Sequence, residues 1–124
     1  MGKTSALRGK RAYLSGQSAE QTVLAIYERN GFVLAAQRWR GGGAEIDLIF
    51  RDGDTCIFVE VKKSRDFAKA AQRVSTAQAH RIMNAASVFV AQEPKGQLTD
   101  MRFDVALVNA VGETQILENA LIAN

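Results

Sequence analysis

A chain of 124 residues, 47% hydrophobic and 23% charged, has the size and balance of one domain that can bury a core without staples. Its one cysteine, Cys56, excludes an intrachain disulfide and points to a reducing compartment. No apolar run approaches the roughly 20 residues that cross a bilayer, and the basic start lacks the apolar stretch of a signal peptide, so a cytoplasmic location without a membrane partner is expected. The net charge is +3 with a pI near 9.3, which suits a phosphate-bearing partner without requiring one.

Residues 1–15 read as a flexible basic leader, and residues 16–124 as a single domain. Lys3, Arg8, Lys10 and Arg11 all precede the first acid, Glu20. Such a leader can track a phosphate backbone or simply stay solvated. A helix is predicted from Ser18 to Asn30, where Ala19, Val23, Ile26 and Tyr27 form one apolar stripe and Gly31 supplies a stop. Phe32 to Ala36 is an apolar first strand, and Gly41, Gly42 and Gly43 read as a flexible connection. Ala44 to Phe50 alternates, with Ile46, Leu48 and Phe50 on one face and Glu45, Asp47 and Ile49 on the other. Arg51-Asp52-Gly53-Asp54 is a hairpin turn leading into a strand from Thr55 to Lys62. Lys63 to Arg73 reads as a loop or short irregular helix. Ser75-Thr76-Ala77-Gln78 has the form of a capping box, and helical spacing follows up to Pro94. Arg102 to Asn109 and Gln115 to Leu117 complete the set as strands. This order predicts an α/β sandwich with a mixed sheet.

The chemistry concentrates on the hairpin. Asp47 sits mid-strand, while Glu60 and Lys62 sit two apart on the next strand and share a face. A tight turn between the strands lets Asp47 and Glu60 lie close. Two neighbouring carboxylates repel unless they share a proton or a cation. Their hard oxygens suit Mg²⁺ or Mn²⁺, and Lys62 can orient an attacking water or stabilise charge building on a phosphate. The bland reading is a solvated cross-strand pair between Glu60 and Lys62. Pattern alone divides the two readings about evenly.

Glu45-Ile46-Asp47-Leu48-Ile49 followed by Phe58-Val59-Glu60-Val61-Lys62 resembles the YraN-like family of bacterial proteins. That family is similar to the archaeal Holliday-junction resolvases within the PD-(D/E)XK nuclease superfamily. The resemblance runs nearly end to end, through Gly16, Ala19-Glu20, Gly31-Phe32, Trp39-Arg40, Val74-Ser75 with Gln78, Arg102-Phe103-Asp104 and Asn119-Ala120. It implies a restriction-endonuclease-like sandwich, a mixed central sheet flanked by helices. It also implies that Asp47, Glu60 and the backbone carbonyl of Val61 hold the metal and that Lys62 is the catalytic lysine. Glu20 would reach the same site from its helix, and Gln78 would support it. The chain departs from the family at Arg38, Ala44 and Ser64, where Asn, Gly and Arg are usual. None of these is an implied ligand.

Other residues are weaker candidates. Glu45 can bind metal, but an exposed salt bridge suits it better. His80 reads as a surface helix residue and Cys56 as a small core residue. Trp39, flanked by Arg38 and Arg40, can stack on a base or pack at the sheet edge. Lys63, Arg65, Lys10 and Arg11 extend the candidate nucleic-acid contacts. The expected function is a Mg²⁺- or Mn²⁺-dependent endonuclease acting on DNA, with branched or junction DNA as a natural substrate, DNA preferred to RNA, and a homodimer able to cut two strands. The alternative is a catalytically weak nucleic-acid-binding or DNA-processing accessory module, and a protein-interaction domain is a third reading.

Overall fold

The structure is a computed structural model, and it describes residues 18–63 and 76–120. Helix α1 covers residues 18–29. Three strands follow, β1 (Val33–Gly41), β2 (Ala44–Asp52) and β3 (Thr55–Lys63), then helix α2 (Thr76–Val90), a 3₁₀ turn (Gly96–Leu98), β4 (Met101–Val108) and β5 (Thr114–Leu117). The five strands form one sheet in sequence order. Only β3 and β4 run parallel, joined through α2, so the sheet is mixed. The architecture is the predicted α/β sandwich and is compatible with a restriction-endonuclease-like fold. No helix of the described residues is long and apolar enough to cross a membrane.

The helices cover opposite faces of the sheet. Ala19, Val23 and Tyr27 of α1, spaced four apart on one stripe, pack on Leu48, Phe50, Ile57, Val59, Ala106 and Val108. Ala79, Ile82, Ala85, Ala86, Phe89 and Val90 of α2 pack on Ile49, Phe58, Phe103, Val105 and Leu107. Neighbouring strand residues such as Ile57 and Phe58 alternate between the two cores, as strand geometry requires. Strands buried on both faces explain why β3 and β4 read as nearly continuous apolar runs.

Several boundaries differ from the sequence reading. Strand β1 runs on through Trp39 to Gly41, because its outer half is built from charged residues that periodicity assigns to loops. The glycines are not a flexible connection. Gly41 pairs with Ala44, and Gly42 and Gly43 form a two-residue hairpin turn at φ 59° and 85°. Both central positions of such a turn need positive φ, which glycine takes without strain. At the next hairpin Asp52 pairs with Thr55, so the loop is Gly53-Asp54 and only Gly53 carries the positive φ. Lys63 is a strand residue, and α2 ends at Val90, ahead of Pro94. Ser75 of the capping box lies outside the described residues.

The largest departure is in β2. Strict alternation puts Ile46 with Leu48 and Phe50, yet Ile46 joins the α2-side core beside Ile49. The two-residue rhythm breaks at Asp47. Opposite it Arg38 takes φ 48°, a left-handed conformation that costs a non-glycine residue roughly 1–2 kcal/mol. The ladder with β3 also stops here, since its last pair is Leu48 with Val59. The strands open at the acid that the chemistry singled out.

Candidate active site

Where the β2–β3 ladder opens, the Asp47 side chain takes over the pairing. Its Oδ2 accepts a hydrogen bond from the backbone N–H of Val61 at 2.7 Å. That bond fixes the carboxylate over β3, next to Glu60. The Glu60 carboxyl sits beside Asp47, and the closeness of the two acids favours a proton on Glu60. Burial, the Asp47 contact and the nearby Glu45 charge push the Glu60 carboxyl up to about 8, and Lys62 opposes the shift. Lys62 Nζ stands 4.0 Å from Glu60 Oε1, and the two side chains are 24% and 11% exposed. The structure thus brings Asp47, Glu60 and Lys62 together, and the hairpin is the reason.

The carboxylates open into a cleft of about 340 Å³ lined by Gly43, Ala44, Glu45, Asp47, Glu60, Gln78, Arg81 and Ile82. Its floor is the open end of β2 and β3, its rim the Gly42-Gly43 turn, and its wall the first two turns of α2. Glu45 lines it while Arg40 holds its carboxylate at 3.2 Å, so the salt-bridging reading of Glu45 describes its contact. Gln78 reaches the cleft from α2, as its sequence position suggests.

Other predicted residues are elsewhere. Lys62 is beside Glu60 but does not line the cleft. Glu20, on α1, accepts from Arg38 Nε at 3.1 Å and does not line it either. Trp39 packs edge-to-face on Phe89 with ring centroids 5.4 Å apart, which is the packing reading. Arg38 and Arg40 are tied to Glu20 and Glu45. Lys63 ends β3 at the surface, His80 is exposed on α2, and Cys56 is fully buried. Lys10, Arg11 and Arg65 lie outside the described residues. Sequence reasoning missed Arg81. The available signal was its spacing, three residues after Gln78 and one before the buried Ile82 on the same helix.

A hard divalent ion makes definite demands on the donor set. Among the described residues no three acidic, histidine or cysteine side chains converge as ligands. Two carboxylates do converge, and a cation between them would neutralise both. Two carboxylates with room for waters and phosphate oxygens is a usual Mg²⁺ arrangement, so the residues fit the ion. The Val61 carbonyl, which the resemblance names as a third ligand, belongs to the residue whose N–H Asp47 binds.

On the other face of the sheet, fully buried Asp104 accepts from the Tyr27 hydroxyl (2.6 Å), the Nε and Nη2 groups of Arg102 (3.0 and 2.9 Å) and the Asn119 N–H (2.9 Å). Arg102 stacks over Phe32 at 5.4 Å, and the Ala120 N–H bonds the Phe103 carbonyl at 2.8 Å. The Arg102-Phe103-Asp104 and Asn119-Ala120 motifs are therefore a scaffold on the α1 side of the sheet, with Asp104 paired to Val59, one residue before Glu60.

The fold and cleft define a class, a small mixed α/β sheet protein with paired carboxylates lining a cleft where two strands part. The chain belongs to the uncharacterised protein family UPF0102, the YraN-like family, whose model matches residues 19–108. A UPF0102 protein of Ruegeria pomeroyi is 55% identical over 118 residues, covering 95% of this chain and 96% of its own. One of Roseobacter denitrificans is 58% identical over 113 residues, covering 91% and 88%. One of Cereibacter sphaeroides is 55% identical over 117 residues, covering 94% of this chain and all of its own.

Proposed function

We propose that this protein is a metal-dependent endonuclease that hydrolyses phosphodiester bonds in DNA. One observation carries the reading: Asp47 and Glu60 line one cleft side by side, with Asp47 fixed by the Val61 N–H and the Lys62 ammonium 4.0 Å from Glu60. Acid, acid and lysine in the order D-x(12)-E-x-K is the pattern of the PD-(D/E)XK nucleases, and the resemblance to archaeal Holliday-junction resolvases belongs to the same proposal. Branched DNA is then a natural substrate, a homodimer a natural assembly, and the cytoplasm the natural location.

Asp47, Glu60 and the Val61 carbonyl would hold Mg²⁺ or Mn²⁺. The bound ion would neutralise charge on the phosphate and lower the pKa of the attacking water. Asp47 is prepared for this role because the Val61 N–H fixes its second oxygen. Glu60, whose partial burial beside Asp47 favours its protonated form, would hold the ion as the carboxylate, so ion binding would be linked to loss of a proton. Lys62 carries its charge on a mobile stem beside Glu60, where it can orient water or stabilise the negative charge that builds as the phosphorus–oxygen ester bond breaks.

The accessory-module reading is favoured by one feature, that Lys62 does not line the cleft. Cleavage of labelled linear, single-stranded and four-way-junction DNA with Mn²⁺ or Mg²⁺ separates the two. Wild-type protein is expected to cut, and Lys62→Ala to lose on the order of 10²–10³ in rate, the usual loss when one stabilising group is removed. Junction binding by both proteins without cutting by either would favour the accessory module.

A further inference from the structure

The cation that lines the cleft among the described residues is not Lys62 but Arg81. Its surroundings set it apart. Arg29 donates to the Ala25 carbonyl, Arg38 to Glu20, Arg40 to Glu45, Arg51 to Glu93 and Arg102 to Asp104. Arg81 makes no ion pair or hydrogen bond among the described residues, although three acids line the same cleft. Those acids are already engaged. Glu45 is held by Arg40, Asp47 by the Val61 N–H, and Glu60 by Asp47 and Lys62. The guanidinium fork is left for a ligand from outside.

Its position is set by packing. Ile82, the next residue, is 3% exposed in the α2-side core, and Ala85 is fully buried. The Gly42 backbone lies so close to α2 that an added Cβ would stand 2.9 Å from the Ala85 Cα. The helix is therefore locked against the turn that rims the cleft, and Arg81 projects from a fixed base.

Charge balance states what it can do. A divalent ion with the Asp47 and Glu60 carboxylates sums to zero, and Arg40 offsets Glu45. A phosphodiester carries one negative charge, and beyond its contact with the ion it would gain attraction from further cations beside the pair. Lys62 is next to Glu60 on the sheet, and Arg81 is on the helical wall. A planar guanidinium matches two phosphate oxygens at once, which a lysine cannot do.

We propose that Arg81 is a positioning residue for the DNA backbone, binding the phosphate presented to the Asp47–Glu60 pair. This rests on the nuclease reading above. The test uses full-length wild type, Arg81→Ala, Arg81→Lys and Asp47→Ala. Mn²⁺ binding is measured calorimetrically without DNA, and binding of a labelled DNA duplex is measured by anisotropy across a salt series, with Ca²⁺ present to limit cutting. Arg81→Ala is expected to bind DNA about tenfold more weakly, with a salt slope shallower by about 0.9, the value of one lost phosphate contact. Its Mn²⁺ affinity should equal or exceed that of wild type, because a positive charge near the carboxylates is gone. Arg81→Lys should restore the slope but only part of the affinity. Asp47→Ala should lose Mn²⁺.

Wild-type DNA affinity and slope in Arg81→Ala, with Mn²⁺ and DNA binding intact in wild type, would overturn the Arg81 assignment and leave the nuclease reading standing. A wild-type protein that takes up neither Mn²⁺ nor DNA would instead sink the nuclease reading, and Arg81 would fall with it.

Discussion

Glu60 carries the sharpest consequence at the residue scale. Its carboxyl is pushed up to about 8 in the fold, by burial first and by Asp47 second, from an ordinary value of 4.5. The folded protein therefore keeps a proton that the unfolded chain releases above pH 4.5. Stability falls as pH rises wherever the native state binds more protons. The metal-free protein is thus most stable below about pH 4.5 as far as this group is concerned, loses stability between about pH 4.5 and 8, and levels off above. The loss should amount to a few kcal/mol at most, since a tenfold change in proton affinity corresponds to about 1.4 kcal/mol. Urea midpoints in chelator at pH 5 and pH 8.5 measure it directly. Glu60→Gln, which stays neutral, should flatten the difference, and an undiminished pH dependence in that variant would place its origin elsewhere.

Among the elements, the β1–β2 hairpin and α2 form the cleft by direct contact. Gly42 has φ 59° and almost no room, with an added Cβ 2.9 Å from Ala85 Cα and 3.0 Å from Asn84 O. Gly43 has φ 85° but open space around it. The neighbours separate conformational strain from collision. Gly43→Ala should cost about 1 kcal/mol from the left-handed backbone alone. Gly42→Ala adds overpacking of about 1–3 kcal/mol and should push α2, with Gln78 and Arg81, away from the carboxylates. Chemical denaturation of the two variants checks the order, and equal losses would mean that the close approach carries no strain. The same scale explains the open ladder. Asp47 replaces a backbone acceptor with its own side chain, and Arg38 across from it takes the left-handed turn that lets Ile46 and Trp39 face α2.

For the whole molecule, the question is what keeps α1, β4 and the chain after β5 together. Asp104 does so from a site with no solvent exposure, through Tyr27, Arg102 and Asn119. Burial and the Asp104 contact raise the Tyr27 phenol, which therefore remains a hydrogen-bond donor. Asp104→Ala would leave the Arg102 charge and the Tyr27 hydroxyl without their acceptor. Breaking a buried pair this way costs roughly 3–5 kcal/mol, against a total of about 5–15 kcal/mol for a native domain. The expected result is a large drop in urea midpoint, or no soluble protein. Asp104→Asn, which keeps an acceptor, should be milder. A midpoint unchanged in Asp104→Ala would show that the network is dispensable. At the outer edge of the sheet, the irregular register between Leu34 and Ala36 and the Arg38 kink break the flat template that invites strand addition. The opposite edge, β5, is only four residues long.

The hairpin carrying Asp47 and Glu60 was legible in the sequence because its information is local. Alternation and a glycine turn place two residues thirteen positions apart side by side. The α1 stripe and the order of strands and helices were legible for the same reason, since periodicity reports which face each element buries. The fate of Ile46, the turn at Gly42-Gly43 and the wall formed by Gln78 and Arg81 were not. Each depends on α2 packing against a hairpin more than thirty residues earlier in the chain, and no short-range pattern encodes that contact. Arg102-Phe103-Asp104 likewise stood out as a motif, but only burial beside Tyr27 and Asn119 shows it to be scaffold and not chemistry. The sequence by itself determined which residues sit on each strand of the hairpin. The tertiary structure decided which of them meet a common cleft, because a cleft is made by elements distant in the chain.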